Sequence, residues 1–187
     1  MAKALFLDRD GVVNADDGYT HRVANLRFVP GIFDLCLAAG AHGFRLVIAT
    51  NQSGIGRGLF TEADYRVFTG EMLRRLQAEG IAIAAVYHCP YHPSEGIGPY
   101  RRDHPWRKPK PGMLLDAARA LSLDLAVSAL VGDGARDIEA ARAAGIGTAI
   151  RVAPLEAADR GAGAPDAVLD NVAAAASWFA ARFPPAR

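Results

Sequence analysis

The chain reads as an α/β protein, a doubly wound three-layer sandwich around a mostly parallel sheet with no separate cap domain. Three observations predict this. Short apolar runs alternate with helical patterns of ten or more residues, which is the signature of βαβ units. Right-handed crossovers wind such units into helix–sheet–helix layers. The 187 residues, 51% hydrophobic and 22% charged, form one domain that can bury its own core without disulfide staples.

The elements follow in order. Ala4 to Leu7 is a short apolar run ending at Asp8, the length of a buried strand. Pro30-Gly31 opens a helix through Leu35, Leu37 and Ala38 that closes near Gly43. Phe44 to Ala49 is a second buried strand. Thr61 is placed as an N-cap, with Glu62 and Asp64 in the first turn. Tyr65, Phe68, Met72, Leu73 and Leu76 continue at helical spacing until Gly80. Ile81 to Tyr87 reads as a third strand, and Pro111 to Leu121 as a helix begun by proline. Ala129 to Val131, Ile146 to Val152 and Ala167 to Leu169 supply the remaining strands. Helices over Ala135 to Ala144 and Val172 to Phe183 complete the pattern. Two connections, about 11–29 and 89–110, exceed the usual four to six residues, roughly, and have no room for a second folded domain.

Composition removes several classes. Twenty-one basic against 20 acidic residues leave a formal charge of +1, without the global basic excess of a dedicated nucleic-acid binder. No apolar run approaches the ~18 residues of a membrane span. No secretory leader is visible at Met-Ala-Lys, so the expected compartment is the cytoplasm. Two cysteines are too few for a disulfide framework, and Cys36, on an apolar helix face, reads as core. The near-neutral charge makes a monomer the default expectation. A nucleotide-triphosphate loop of the G-x-x-x-x-G-K-[ST] type is missing from the sequence.

In doubly wound sheets the site lies at the carboxyl ends of the strands. Four polar motifs fall there. Asp8-Arg9-Asp10-Gly11 leaves the first strand, and Thr50-Asn51-Gln52-Ser53-Gly54 the second. Arg107-Lys108-Pro109 stands just before a helix, and Gly132-Asp133-Gly134-Ala135-Arg136-Asp137 follows the fourth strand. Singly, each is an ordinary turn or cap. Their joint order at strand ends is what carries chemistry.

These motifs resemble those of the haloacid-dehalogenase superfamily of aspartate-nucleophile phosphatases. Within it, DRDGVVN, DDGYTH, TNQSGIGRG, RKPKPGML and the VGD segment are similar to the heptose 1,7-bisphosphate 7-phosphatase family, and nearly as similar to the histidinol-phosphatase domain. The likeness runs from about residue 4 to 170 and implies a Rossmann-like core. It also implies a Mg²⁺-dependent phosphomonoesterase acting on a small phosphorylated sugar, in lipopolysaccharide-precursor synthesis. Asp8 is expected to attack phosphorus and form an aspartyl-phosphate, and Asp10 to protonate the leaving oxygen and then activate water. Asp8, the Asp10 carbonyl and Asp133 would ligate Mg²⁺, which prefers hard oxygens, while Asp137 would hold the loop or a metal-bound water. Lys108, the Thr50 hydroxyl and the Asn51 amide would stabilise the transferring oxygens.

The resemblance places substrate contacts at Asp16, Asp17, Gly18 and Tyr19, at Asn51, Gln52 and Ser53, and at Arg107. Arg101, Arg102, Arg107, Lys108 and Lys110 form a basic stretch in which Arg107 is assigned to a second phosphate. Relatives carry a structural zinc in this loop on three Cys and one His. Here only Cys89 remains of that pattern, with Tyr91 and the His104-Pro105-Trp106 segment replacing the others. A makeshift set of Cys89, His92 and His104, with His88 as a fourth, is the alternative. The expectation is a loop without metal, held by prolines and by Trp106 and Tyr100. The competing functions are histidinol-phosphate hydrolysis and, in another class, a phosphosugar-binding or receiver-like module, against which the second acid Asp10 argues. No nucleic-acid or membrane partner is expected.

Overall fold

Side-chain alternation along the strands divides the interior into two cores. The computed structural model describes residues 1–152 and 163–183. The stretch 153–162, which the sequence leaves between the last two strands, lies outside the described residues. The strands β1 (Lys3–Leu7), β2 (Phe44–Asn51), β3 (Ile83–Cys89), β4 (Ala129–Gly132), β5 (Thr148–Val152) and β6 (Ala167–Leu169) form one sheet. Its order is β3-β2-β1-β4-β5-β6, and every pairing is parallel. The sheet expected to be mostly parallel is therefore wholly so among the described residues. The chain order reverses at β1, which opens a crevice beyond the ends of β1, β2 and β4.

Leu5, Leu7, Leu46, Ile48, Val131, Ile150 and Val152 face one core, and Ala4, Phe6, Val47, Ala49, Leu130 and Ala149 the other. The first is covered by α1 (Ile32–Ala41), α3 (Glu62–Ala78) and α6 (Val172–Arg182). The second is covered by α4 (Gly112–Leu121) and α5 (Ala135–Ala144). The long helix α3 begins at the Thr61 cap, where the Thr61 hydroxyl accepts the Asp64 amide at 3.1 Å and Asp64 Oδ2 accepts the Thr61 amide at 2.8 Å. Among the described residues no helix is long and apolar enough to cross a membrane.

Two elements differ from the sequence reading. The third strand spans 83–89 rather than 81–87. Ile81 is buried in the turn that ends α3, its amide bonded to Leu76 O, and β2 pairs onward to Cys89. Ser53–Gly56, read as a polar turn, is a one-turn helix, α2. It packs so closely that a Cβ on Gly56 would lie 2.3 Å from Pro90 O.

The α1–α6 layer is sealed by Phe44, Phe179 and Phe183, whose rings meet at centroid distances of 4.6 to 5.0 Å. Phe179 is fully buried. Phe179→Ala is expected to lower the unfolding free energy by about 3–5 kcal/mol, through lost transfer energy plus a cavity. Chemical denaturation checks this, and a loss under about 1 kcal/mol would mean that α6 is not part of the cooperative core.

Candidate active site

The end of β1 delivers Asp8 into the crevice, its amide bonded to Val131 O at 3.1 Å and its Oδ1 accepting the Arg9 amide at 2.7 Å. Beneath it lies Lys108, whose side chain is 1% exposed. The ammonium stands 3.0 Å from Asp8 Oδ1 and 2.5 Å from Asp137 Oδ1, and donates to Ala49 O at 2.8 Å. Asp137 Oδ2 in turn accepts the Gly134 amide at 3.0 Å, which ties the loop after β4 to the first turn of α5. Asp133 completes the group, since one carboxylate oxygen from each of Asp8, Asp133 and Asp137 lies within 4.8 Å of the others.

This is a crowded set of negative charges around one positive charge. Burial pushes the Asp8 carboxyl up to about 7; Lys108 opposes this, and Asp137 and Asp133 add to it. Burial and Asp137 likewise raise Asp133, against Arg136 and Lys108. Burial works against charge on Lys108, yet Asp137 and Asp8 outweigh it and hold the ammonium above the ordinary lysine range. Asp133 Oδ1 is buried and makes no hydrogen bond. Hard carboxylate oxygens with one unsatisfied member and excess negative charge suit a divalent cation. Gly11 lets Asp133 come this close. It has φ +81°, and a Cβ there would sit 2.1 Å from Asp133 Oδ2.

The end of β2 brings Thr50, Asn51 and Gln52 to the same place. Gln52 Nε2 donates to Asp10 Oδ2 at 2.7 Å and to Thr50 Oγ1 at 2.9 Å. Asn51 and Lys108 exchange two hydrogen bonds, Asn51 Nδ2 to Lys108 O and the Lys108 amide to Asn51 Oδ1, both 3.0 Å. That reciprocal pair fixes the segment before α4 against β2. Asp10 Oδ1 also accepts from Asn14 Nδ2 at 3.0 Å and from Arg9.

Above these groups is a pocket of about 270 Å³. Asp8, Asp10, Thr50, Asn51, Gln52 and Ser53 form its floor and one wall. Asp16, Gly18 and Tyr19 come from the first long loop, and His92 and Arg107 from the second. Arg57, after α2, and Arg136, in α5, also line it. Burial lowers the Arg107 pKa, and the like charge of Arg136 adds to that effect. An anion brought between them would offset this repulsion. Arg57 contacts Tyr19 Oη, lies 5.3 Å from that ring's centroid, and pairs with Glu95 at 2.5 Å, so it links the two loops across the pocket.

The structure thus brings Asp8, Asp10, Thr50, Lys108 and Asp133 together and sets most of the expected contact residues on one pocket. Asp17 is not on that pocket: its exposed carboxylate pairs with Arg27 at 2.5 Å. Cys89, His92 and His104 do not bring three ligand atoms within 4.8 Å of one another. Among the described residues the one group of three or more ligand-type side chains close enough to share an ion is Asp8, Asp133 and Asp137. Cys89 is fully buried, while His92 Nδ1 accepts the Glu95 amide at 3.0 Å and His104 Nδ1 the Trp106 amide at 3.1 Å. Aromatic contacts hold this loop, with Tyr91 stacked on His104 and Trp106 edge-on to Tyr87 and bonded to Asp116 at 2.6 Å. Three pocket residues escaped the sequence reading: Arg57, His92 and Arg136. Arg136 lies inside the GDGARD motif and Arg57 inside TNQSGIGRG, so helix phase from the strand ends was the signal available.

The HAD-hydrolase-like family matches residues 105–175. The chain is 46% identical over 169 residues to the D-glycero-alpha-D-manno-heptose-1,7-bisphosphate 7-phosphatase of Burkholderia mallei, covering 90% of this chain and 89% of that one. It is 44% identical over 155 residues to the D-glycero-beta-D-manno-heptose-1,7-bisphosphate 7-phosphatase of Escherichia coli K12, covering 81% of each. Among solved structures it resembles the D,D-heptose 1,7-bisphosphate phosphatase of B. bronchiseptica, complexed with magnesium and phosphate. That match has a TM-score of 0.79 and 33% identity, and covers 96% of this chain and 99% of that one.

The carboxylate cluster makes a prediction that does not depend on turnover. Asp8 has a folded-state pKa raised above its ordinary 3.8, so the cation-free protein gains stability as pH falls from about 7 and loses it as pH rises. Mg²⁺ should therefore raise the melting temperature most at about pH 8, and progressively less as pH drops through 7, where Asp8 takes up a proton instead. Thermal melts with and without Mg²⁺ check this. An equal shift at about pH 5 and pH 8, or an undiminished shift in Asp133→Asn, would show that the cation binds elsewhere.

Proposed function

The chain belongs to the haloacid-dehalogenase-like phosphatases, in the family of the heptose-1,7-bisphosphate 7-phosphatases, and from that membership we propose that it removes the 7-phosphate of D-glycero-D-manno-heptose 1,7-bisphosphate. It is a phosphoric monoester hydrolase. The observation that carries the finer reading is the pocket itself. Asp8 and Asp10 lie on its floor, while Arg57, Arg107 and Arg136 line it. A sugar with a second phosphate offers those arginines a dianion, which guanidinium groups bind bidentately. Histidinol phosphate would place an ammonium and an imidazole among them. The product would feed ADP-heptose and lipopolysaccharide-precursor synthesis.

Phosphate monoesters resist attack because the phosphoryl group is anionic and its uncatalysed hydrolysis is among the slowest known. Asp8 is the nucleophile. One of its carboxylate oxygens bonds to phosphorus, and the bond from phosphorus to the sugar oxygen breaks. Asp10 gives its proton to that departing oxygen, and an aspartyl-phosphate remains on Asp8. In the second step Asp10, now a carboxylate, takes a proton from water as the water oxygen bonds to phosphorus. The acyl-phosphate bond breaks, inorganic phosphate leaves and the Asp8 carboxylate is restored. Lys108 holds Asp8 in place and supplies fixed positive charge where oxygens gain negative charge, with the Thr50 hydroxyl beside it.

Mg²⁺ would be held by Asp8, Asp133 and the Asp10 carbonyl, and when bound it neutralises the phosphoryl oxygens against the nucleophile's charge. The fit of these residues to it rests on Asp133 Oδ1, which is buried without a hydrogen bond and has only Arg136 Nη2 at 4.0 Å, and on the acid cluster. Asp137, committed to Lys108 and the Gly134 amide, keeps the loop in place. The first long loop, through Asp16, Gly18 and Tyr19, and the second, through His92 and Arg107, take the place of a cap domain over the pocket.

Phosphate release with Mg²⁺ tests this reading. Heptose 1,7-bisphosphate should exceed histidinol phosphate in kcat/KM by a hundredfold or more, about 2.7 kcal/mol of transition-state binding. Asp8→Asn should reduce turnover to background while still binding phosphate with Mg²⁺. Arg107→Ala should cost the bisphosphate about 10- to 100-fold in kcat/KM, the scale of one charged hydrogen bond, and cost a monophosphate sugar much less. Preference for histidinol phosphate would move the activity to that substrate. Turnover that survives Asp8→Asn would refute the nucleophile.

A further inference from the structure

Strand alternation carries one step past β1. Asp8 and Asp10 turn toward the pocket, while Arg9 between them continues the row of Leu5 and Leu7 into the core beneath α3. Arg9 is fully buried, the largest side chain among the described residues to be so. Its guanidinium carbon lies 4.9 Å from the Phe68 ring centroid and 5.8 Å from that of Tyr65. From this enclosed seat the guanidinium reaches back to the pocket. Nη2 donates to Asp10 Oδ1 at 2.8 Å and to Oδ2 at 2.9 Å, and Nε donates to Oδ1 at 3.0 Å. Nη2 also donates to Thr20 O at 2.8 Å, in the loop that carries Asp16, Gly18 and Tyr19.

We propose that Arg9 is the positioning residue for Asp10: its buried fork fixes both carboxyl oxygens of the proton-transfer group and ties their orientation to the first substrate loop. The inference rests on the reading of Asp10 as acid and base. Three features support it over a purely structural role. A buried ion pair is often replaceable by apolar side chains with no loss of stability, so stability alone does not call for an arginine here. Nη1 is buried without a hydrogen bond, a cost that a side chain chosen for packing has no reason to carry. The rigid planar fork is the donor that specifies an orientation as well as a charge, which a lysine cannot do. Asn14 on Oδ1 and Gln52 on Oδ2 complete the cradle, so Asp10 is held from both sides with its side chain 20% exposed to the pocket.

The test uses the leaving group. Heptose 1,7-bisphosphate releases an alkoxide that needs a proton, whereas p-nitrophenyl phosphate releases a phenolate that needs none. Values of kcat/KM report only steps up to leaving-group departure, so they isolate the first proton transfer. Arg9→Met should lower kcat/KM for the sugar phosphate about 30-fold or more, within the range general acid catalysis supplies, and for p-nitrophenyl phosphate less than about threefold. Arg9→Lys keeps a charge but not the fork and should show the same selective loss. It carries the test if Arg9→Met does not fold, with thermal melts reporting on folding. Asp10→Asn is measured alongside. Selective loss in Asp10→Asn with equal losses on both substrates in the Arg9 variants would overturn the positioning role while leaving Asp10 as the acid. Equal losses in Asp10→Asn itself would overturn the assignment of Asp10, and this inference with it.

Discussion

Lys108 stands in the dry floor of the site, its ammonium shared between Asp8 at 3.0 Å and Asp137 at 2.5 Å. Without it, three carboxylates would face one another with little water to separate them. Like charges at that range in a buried site cannot all stay ionised. Lys108 is held in turn from every side. Ala49 O at the end of β2 accepts one of its protons, and Asn51 clamps its backbone with two hydrogen bonds. The ends of β1 and β2, the first turn of α5 and the segment before α4 therefore meet on one ammonium. The sheet order that opens a crevice at β1 supplies the space, and Lys108 supplies the charge that lets acids occupy it.

The same alternation that sorts the hydrophobic residues sorts the polar ones. Leu5 and Leu7 point to the core under α3, and the next residue in that row is Arg9. Ala4 and Phe6 point to the core under α4 and α5, and the next in that row is Asp8. A strand that ends in Asp-Arg-Asp thus presents two acids to one side and a cation to the other. Glycine makes the turn after them possible, because the backbone at Gly11 has positive φ and Asp133 occupies the volume a Cβ would need. A substitution there would push on the carboxylate cluster before it disturbed either core.

Most of the fold was legible because periodicity reports burial, and burial is what a parallel sheet enforces on its strands. The exceptions have local causes. The third strand slid by two residues because Ile81 is buried by the α3 turn rather than by strand pairing. The helix at Ser53–Gly56 is too short to show a period. The acids and Lys108 were legible because each leaves a strand end in a recognisable motif. Arg57, Arg136 and His92 were not, since their place on the pocket depends on the phase of a helix or the path of a proline-rich loop. Asp17 is the converse case, named with its neighbours but absent from the pocket lining. It sits beside true lining residues in sequence, but Arg27 ten residues on captures its carboxylate.

Charge separation across the pocket explains why the two long loops matter. The floor carries acids that a divalent cation can balance, and Arg57, Arg107 and Arg136 line the same pocket. Arg136 stands beside the floor acids, its Nη2 4.0 Å from Asp133 Oδ1, and its like charge acts on Arg107. Arg57 is engaged by Tyr19 and Glu95, one from each loop, so those loops already partly neutralise it. Arg107 spends one donor on Tyr91 O at 3.2 Å and has donors left. The loops therefore do more than cover the site. They hold Arg57 and Arg107 on the pocket, and Arg107 keeps donors unspent. Those donors are what an anionic group on a ligand would meet.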